Sequence, residues 1–197
     1  GTNLTIKKVD LSFLGSVQFR GLEIKDHHKD TLIFVNKLTT SIINAKRILD
    51  NEVNLKSIYL DDAYYYMKTY KGEDIGSINV FINSFDDGIS KDSLANPFIL
   101  RTSNVYVSNL NFRLTNANIK DSVSYSAKKS GGNLQDFLIE GTNVSSKIRG
   151  LYFADIYGLE VTDLTTDFSY SNTAMHFKKT TLQTKKSTIK ADIDFTY

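Results

Sequence analysis

Arg20-Gly-Leu-Glu-Ile-Lys-Asp26 recurs later in the chain as Arg149-Gly-Leu-Tyr-Phe-Ala-Asp155. Each heptapeptide is followed by an apolar stretch with a Leu-Thr-Thr triplet, residues 33–42 in the first copy and 159–168 in the second. Each copy therefore predicts a strand, a polar turn and a strand, with the second turn three residues shorter. An isolated hairpin cannot bury its apolar face. Repetition of the unit, over 15–42 and 144–168, predicts hairpins stacked into an elongated sheet.

Apolar and polar residues alternate through much of the remaining chain, as in 17–20, 105–108, 112–114 and 189–195. Alternation places the apolar side chains on one face of a sheet. One dry face and one wet face are typical of antiparallel sheets. The spacing predicts roughly eleven to thirteen strands. We expect an all-β fold, an elongated, strongly coiled antiparallel sheet of repeated hairpins that forms an open trough.

Two segments interrupt the alternation. Residues 42–50 carry apolar side chains at helical spacing and predict one short helix, with Asn51 as a left-handed cap. The longest interruption is 71–96, in which 78–82 is either a short helix or a strand. Glycines and lysines predict a loop at 128–133. The whole chain, 1–197, is expected to be a single β-rich module and a fragment of a longer repetitive protein.

The composition excludes several classes of function. The chain has no cysteine, which removes disulfides, thiolate nucleophiles and cysteine-based zinc sites. The formal net charge of +2 gives no basis for a nucleic-acid partner. The longest apolar stretches fall far below the ~20 residues that cross a bilayer.

Two polar motifs are candidates for a metal-binding or catalytic site. Asp26-His-His-Lys-Asp30 offers two imidazoles between carboxylates, but the repeat places it in a hairpin turn whose second copy has no histidine. A solvated turn is therefore expected, and no metal site. The adjacent pair Asp61-Asp62 cannot flank one glycosidic bond from both sides, so it is expected in a turn. The sequence predicts no catalytic residues, no cofactor and no enzyme.

In their order along the chain, the motifs resemble the amino-terminal region of the TamB/AsmA-like family. The resemblance is carried by Gly15-Ser-Val-Gln-Phe-Arg-Gly-Leu-Glu-Ile-Lys-Asp26, by Asp30–Ile42, by the helix expected near 42–50, and by Leu55–Met67. This chain has Asp62 where the family usually has glycine. The resemblance covers most of the chain.

The resemblance implies a location and a role. It implies a periplasmic segment of a protein anchored in the inner membrane of a diderm bacterium by a helix just before Gly1. It also implies a trough whose apolar interior guides phospholipid acyl chains toward the outer membrane. An alternative with the same fold is outer-membrane protein translocation and assembly by strand templating, with an outer-membrane barrel assembly protein as partner. A further alternative is a surface adhesin or structural β-repeat that does not handle lipid.

Parity within the strands and the repeat together predict which residues line the trough. Their shared feature is an apolar side chain on the expected inner face. They are Val17, Phe19, Ile33, Val35, Leu38, Ile58, Leu60, Tyr65, Met67, Val105, Val107, Phe112, Leu114, Leu159, Val161, Leu164, Phe168, Ile193 and Phe195. Ile189 is expected on the same face of the last strand.

Overall fold

The computed structural model describes residues 3–12, 15–41, 51–83, 97–119 and 124–196. These residues form ten strands and one helix. The strands are β1 (Asn3–Leu11), β2 (Ser16–Lys25), β3 (Thr31–Ser41), β4 (Glu52–Thr69), β5 (Ile99–Asn116), β6 (Ser124–Glu140), β7 (Asn143–Asp155), β8 (Glu160–Tyr170), β9 (Ala174–Thr184) and β10 (Thr188–Thr196). The helix α1 (Ser77–Asn83) lies between β4 and β5.

All ten strands form one open sheet in which the spatial order is the order along the chain, from β1 to β10. The all-β prediction is confirmed, and so is a single sheet that does not close on itself. Fewer strands are seen than the alternation predicted because β4 and β5 are each 18 residues long. Each of them absorbs segments that read as separate strands in the sequence.

The prediction of an antiparallel sheet fails at one pair. β4 and β5 run parallel, from Glu52 beside Ile99 to Thr69 beside Asn116, whereas the other neighbouring strands are antiparallel. β4 and β5 are therefore not a hairpin. Parallel neighbours need a crossover of a dozen or more residues. The long interruption after β4 supplies it.

The first part of this crossover, up to the end of α1, lies within the described residues. The hydroxyl of Ser77, at the first residue of α1, accepts a hydrogen bond of 3.0 Å from the backbone N–H of Lys68 in β4. The segment around 78–82, for which the sequence allows helix or strand, lies within α1 and is helical. Residues 42–50, where the other helix is expected, lie outside the described residues. Asn51 has the predicted left-handed conformation, with φ of 62°.

The two repeat copies fold as the hairpins β2–β3 and β7–β8, and their turns have the same length. In the first, the amide of Asp26 donates to the carbonyl of Asp30 at 2.8 Å, and in the second the amide of Asp155 donates to the carbonyl of Leu159 at 3.0 Å. The predicted three-residue shortening of the second turn is wrong. Both turns close within four residues of the aspartate.

Bulges within the strands explain two further errors. Seven residues in the described strands have a positive φ: Gly21, Asp62, Asn109, Lys129, Asp136, Gly150 and Lys179. The pair Asp61-Asp62 is thus a bend inside β4 rather than a turn. The loop expected at 128–133 is part of β6, with register shifts around it. Bulges increase the twist of a sheet and reverse the side-chain parity beyond them.

Glycine has a steric reason to lie inside β6. A Cβ atom on Gly131 would lie 2.5 Å from the hydroxyl oxygen of Tyr152, and one on Gly132 would lie 2.8 Å from the Cα of Leu151. The backbone of β7 leaves no room for a side chain at Gly132, and the Tyr152 ring with the carbonyl of Val107 leaves none at Gly131. Glycine within a strand commonly marks such an approach, and here it was mistaken for a loop signal.

Candidate functional site: the apolar face of the sheet

Cross-strand pairing joins the predicted lining residues into rows on one face, because directly paired residues point to the same side of a sheet. One row runs from Phe19 through Leu38 and Leu60 to Val107. A second runs from Ile33 through Tyr65 to Phe112. We call the side of the sheet that carries these rows the apolar face.

The apolar face continues across the parallel pair into the second half of the sheet. Ile58 pairs with Val105, which pairs with Leu134, and Leu134 pairs with Ile148 of β7. Further along β7 and β8, Leu164 pairs with Leu151, Phe168 with Phe177, and Phe177 with Ile193 of β10. The face is thus continuous from β2 to β10.

The nineteen predicted lining residues fall into three groups by exposure. Five are buried: Val17, Val35, Ile58, Val105 and Val161. Ten are half-buried: Phe19, Ile33, Leu38, Leu60, Tyr65, Met67, Val107, Phe112, Leu164 and Phe168. Leu114, Ile193 and Phe195 are exposed, and so is Leu159, which lies in the turn before β8 rather than in a strand. A guest molecule would contact the second and third groups, since protein atoms already cover the first.

The burial of the first group indicates a curled sheet. Val35 and Val161 are each 3% exposed although the strands form a single layer. A flat single layer leaves both faces in water, so the side chains of neighbouring strands must converge on the apolar face. The right-handed twist of strands, increased by bulges, produces such a concave surface.

Hydroxyl groups on the apolar face satisfy backbone carbonyls next to the bulges. The Thr166 hydroxyl donates to the carbonyl of Lys178 at 3.1 Å, and the Ser146 hydroxyl donates to that of Gln135 at 3.0 Å. The carbonyls belong to residues directly before Lys179 and Asp136, two residues with positive φ. An unpaired buried carbonyl costs free energy unless water or a side chain reaches it. These side chains therefore allow the face to stay dry.

Thr40 in β3 also bonds a neighbouring strand, although no bulge lies beside it. The residue is 4% exposed, its hydroxyl donates to the carbonyl of Ser57 at 2.9 Å, and it pairs with Val17 on the apolar face. Ser130 differs, because its buried hydroxyl has no hydrogen-bond partner among the described residues. The polar residues buried on this face are small and mostly satisfied internally, so they offer few groups to a polar ligand.

Aromatic rings run across the apolar face at one end of the sheet. The ring centroids of Tyr65 and Phe112 are 5.6 Å apart, and those of Phe112 and Tyr125 are 6.1 Å apart. Burial raises the pKa of the Tyr65 hydroxyl well above its usual value. The hydroxyl is therefore neutral at physiological pH, and the ring row presents an uncharged surface.

The opposite face is mixed and polar. Tyr64 and Tyr66 lie there together, with ring centroids 6.0 Å apart, as the alternation predicted. Tyr59 stacks on Tyr106 with centroids 5.0 Å apart, and Tyr59 is 53% exposed. Successive residues of β4 therefore alternate between the apolar face and this more polar face.

Helix α1 lies at the apolar face. Its Asn79 side-chain amide is 3.5 Å from the hydroxyl of Tyr170, which shares the face of Phe168 two residues earlier in β8. Because Ser77 is bonded to β4, α1 connects β4 and β8, which are four strands apart in the sheet. A guest on the apolar face must share it with this helix.

Pairing adds lining residues that the sequence analysis missed. Leu22 and Ala63 each follow a residue with positive φ, and both pair with Val35. Leu110, Leu151, Phe153, Phe177 and Leu182 belong to the same set by pairing. For Leu22, Ala63, Leu110 and Leu151 the signal is an apolar residue three positions after the preceding one, which strict alternation overlooks.

Two cavities near the ends of β6–β9 have volumes of about 260 and 350 Å³, at the small end for ligand pockets, which hold ~300–1,000 Å³. Among the described residues, no helix has both the length and the apolar character needed to cross a bilayer.

The chain was compared with known proteins. No protein-family model matches it, and no curated protein does either. A functional proposal therefore depends on the fold, the apolar face and the order of the sequence motifs.

Proposed function

We propose that this chain guides phospholipid along the apolar face, as a periplasmic segment of a TamB/AsmA-like protein anchored in the inner membrane. The observation that carries the proposal is a continuous apolar face on a single open sheet, concave and with internally satisfied hydroxyls. Each CH₂ that leaves water contributes about 0.8 kcal/mol. Acyl chains can therefore be held along such a face without a polar recognition site.

The exposed apolar residues of the end strands support the same role. Val9 and Leu11 in β1 are 50% and 78% exposed, and Ile189 and Phe195 in β10 are 56% and 47% exposed. A core residue is normally covered, whereas large contiguous apolar patches mark interaction sites. A lipid chain would cover these side chains without requiring a second protein layer.

The test is phospholipid binding to the purified chain. Native mass spectrometry and lipid extraction should detect bound phospholipid, and a phospholipid with a photoreactive acyl chain should label peptides of the apolar face. Leu60→Glu should abolish most of the bound lipid, because it puts a charge on a half-buried position paired with Leu38 and Val107.

Tyr59→Glu is the matched control. It adds the same charge to the neighbouring residue of β4 on the polar face, so lipid binding should be unchanged. A lipid-free wild-type chain, or equal labelling of both faces, would refute the proposal. Photolabelling of the wild type does not depend on how well either variant folds.

A second candidate is strand templating. β1 and β10 are the two ends of the sheet, and among the described residues each has a neighbouring strand on one side only, so the outer backbone groups can accept an added strand. If the chain templates strands, an unfolded outer-membrane barrel protein should crosslink to β1 or β10. It predicts that Leu60→Glu leaves those crosslinks intact, which separates it from lipid guidance.

A further inference from the structure

The turn between β2 and β3 is built around one buried carboxylate. Asp26 is 1% exposed, and its Oδ1 accepts hydrogen bonds from the backbone amides of His28 and Asp30 at 2.9 and 3.0 Å. Its Oδ2 lies 2.7 Å from the hydroxyl of Tyr70. The backbone carrying His27 and His28 is therefore fixed by Asp26.

The second repeat copy builds the same turn without histidine. There Asp155 Oδ1 accepts hydrogen bonds from the amides of Tyr157 and Leu159 at 2.9 and 2.8 Å. Ile156 and Tyr157 occupy the positions of His27 and His28, and both are exposed. The turn therefore folds equally well without imidazoles, so their presence in the first copy calls for another reason.

A carboxylate from a distant segment meets both imidazoles. Glu73, in the segment between β4 and α1, places its two carboxylate oxygens 2.9 Å from Nε2 of His27 and 2.6 Å from Nε2 of His28. One ligand atom from each of the three residues lies within 4.8 Å of the others. The side chains of His27 and Glu73 are 21% and 29% exposed, so solvent reaches the group.

The segment that carries Glu73 is held in place by the loop after β5. The Asn118 side-chain amide donates to the Glu73 carbonyl at 2.7 Å, and its oxygen accepts from the amide of Gly72 at 2.7 Å. The hydrogen bonds of Asn118 thus position the backbone that carries the Glu73 carboxylate.

Tyr70 supports the imidazoles from one side. Its ring stacks on His28 with centroids 3.8 Å apart and meets His27 edge-on at 5.5 Å. Its hydroxyl lies between Asp26 and Asp30, at 2.7 and 2.8 Å from their carboxylates. The ring contacts of Tyr70 restrict the orientation of both imidazoles, and Nδ1 of His27 is buried without a hydrogen-bond partner among the described residues.

We propose that His27, His28 and Glu73 bind a divalent transition-metal ion of the zinc class. Two imidazoles and one carboxylate suit zinc, with the fourth position left to water. With bonds of about 2.0–2.1 Å, tetrahedral ligand atoms lie about 3.3 Å apart. The contacts of 2.9 and 2.6 Å from Glu73 to the Nε2 atoms of His27 and His28 would have to lengthen by about 0.4 and 0.7 Å to admit the ion.

The ion would join two parts of the chain that are far apart in sequence. It would tie the β2–β3 turn to the segment through which the chain leaves β4 for the crossover. The inference is independent of lipid guidance, because the three ligands lie at the end of the sheet and not on the apolar face.

The test is titration of the full chain with Zn²⁺ alone, followed by calorimetry and by competition with a chromogenic chelator. We expect one saturable site per chain. Glu73→Gln should weaken binding by tenfold or more. The double variant His27→Ile and His28→Tyr, which copies the second turn of the same chain, should remove the site while the turn remains folded.

The third histidine of the chain is the internal control. His176 lies in β9, with its Nδ1 2.5 Å from Asp194. Imidazole ¹⁵N NMR of the wild type should show Zn²⁺ shifting two of the three rings and leaving His176 unchanged, and His176→Gln should bind Zn²⁺ normally. Non-saturable binding, equal shifts of all three rings, or unchanged affinity in Glu73→Gln would overturn the proposal.

Discussion

The dryness of the apolar face can be tested by removing one hydroxyl group. Thr166 is fully buried, and its Oγ1 lies 3.1 Å from the carbonyl oxygen of Lys178 and 2.8 Å from the hydroxyl of Thr180. Thr166→Val keeps the shape of the side chain and removes the hydroxyl group, which is a donor to Lys178 and a partner of the Thr180 hydroxyl. If water cannot reach the site, the carbonyl of Lys178 and the hydroxyl of Thr180 both lose this partner.

The expected loss of stability follows from the cost of an unsatisfied buried polar group, about 1–3 kcal/mol. For a chain of this size, each kcal/mol lowers Tm by about 2–4 °C. Thr166→Val should therefore lower Tm by roughly 2–12 °C. Urea unfolding should show a lower midpoint with an unchanged slope, since the surface exposed on unfolding stays the same.

Thr162→Val is the matched control in the same strand. Its hydroxyl also donates to a β9 carbonyl, that of Gln183 at 3.2 Å, but it is exposed. Water can replace that donor, so the change in the free energy of unfolding should stay within about 0.5 kcal/mol. Equal effects of the two variants would mean that water enters the apolar face at β8. The face would then not exclude water as lipid guidance requires.

Two further predictions concern backbone fit and charge. Gly132→Ala should destabilise the chain by more than about 2 kcal/mol, because the added Cβ would lie 2.8 Å from the Cα of Leu151. Gly158→Ala meets open space but has a φ of 88°, so it should cost only about 1–2 kcal/mol. Chemical denaturation of the two variants measures both free energies of unfolding. The hydrogen bond from Arg149 lowers the pKa of Asp167 in the folded state. The stability that ionised Asp167 contributes is therefore present above the ordinary carboxyl pKa and is lost as pH falls through the lowered pKa. Asp167→Asn should flatten the acid side of the curve of stability against pH.

Hydrophobicity is a better guide to the apolar face than strict parity. The sequence analysis groups Val105 and Val107 with Phe112 and Leu114 although the interval between Val107 and Phe112 is odd. Pairing places all four on one face, since the bulge at Asn109 reverses the alternation between them. Apolar character therefore survives the bulges, whereas position counting does not.

The bulges themselves could be foreseen only in part. Asparagine, aspartate and glycine tolerate the left-handed region, so Asp62 and Asn109 carried a weak signal. Lys129 and Lys179 carried none, because lysine has no special preference for it. Their conformation is set by the register with neighbouring strands, which depends on residues far away in the sequence.

The parallel pair lay beyond local reasoning for a related reason. The interruption after β4 was recognised, and its length would have allowed a crossover. After β4 the chain can return directly, which makes the next strand antiparallel, or cross back to the other end of the sheet, which makes it parallel. No local sequence pattern distinguishes these two routes. The position of α1 against Tyr170 follows from that choice, so no local pattern predicts that a helix shares the apolar face.

The two aspartate turns separate folding from function within one chain. Both lie at the same end of the sheet, because Ile33 pairs with Tyr65, Tyr65 with Phe112, Phe112 with Ala127, and Ala127 with Asp155. Both use the same backbone hydrogen bonds, so folding makes the same demand on each. They differ in what lies beside them, since the parallel crossover begins next to the first turn and brings its carboxylate there. The histidines therefore occur at the one turn where that carboxylate can meet them, which is the pattern expected of residues retained for binding a cation rather than for forming a turn.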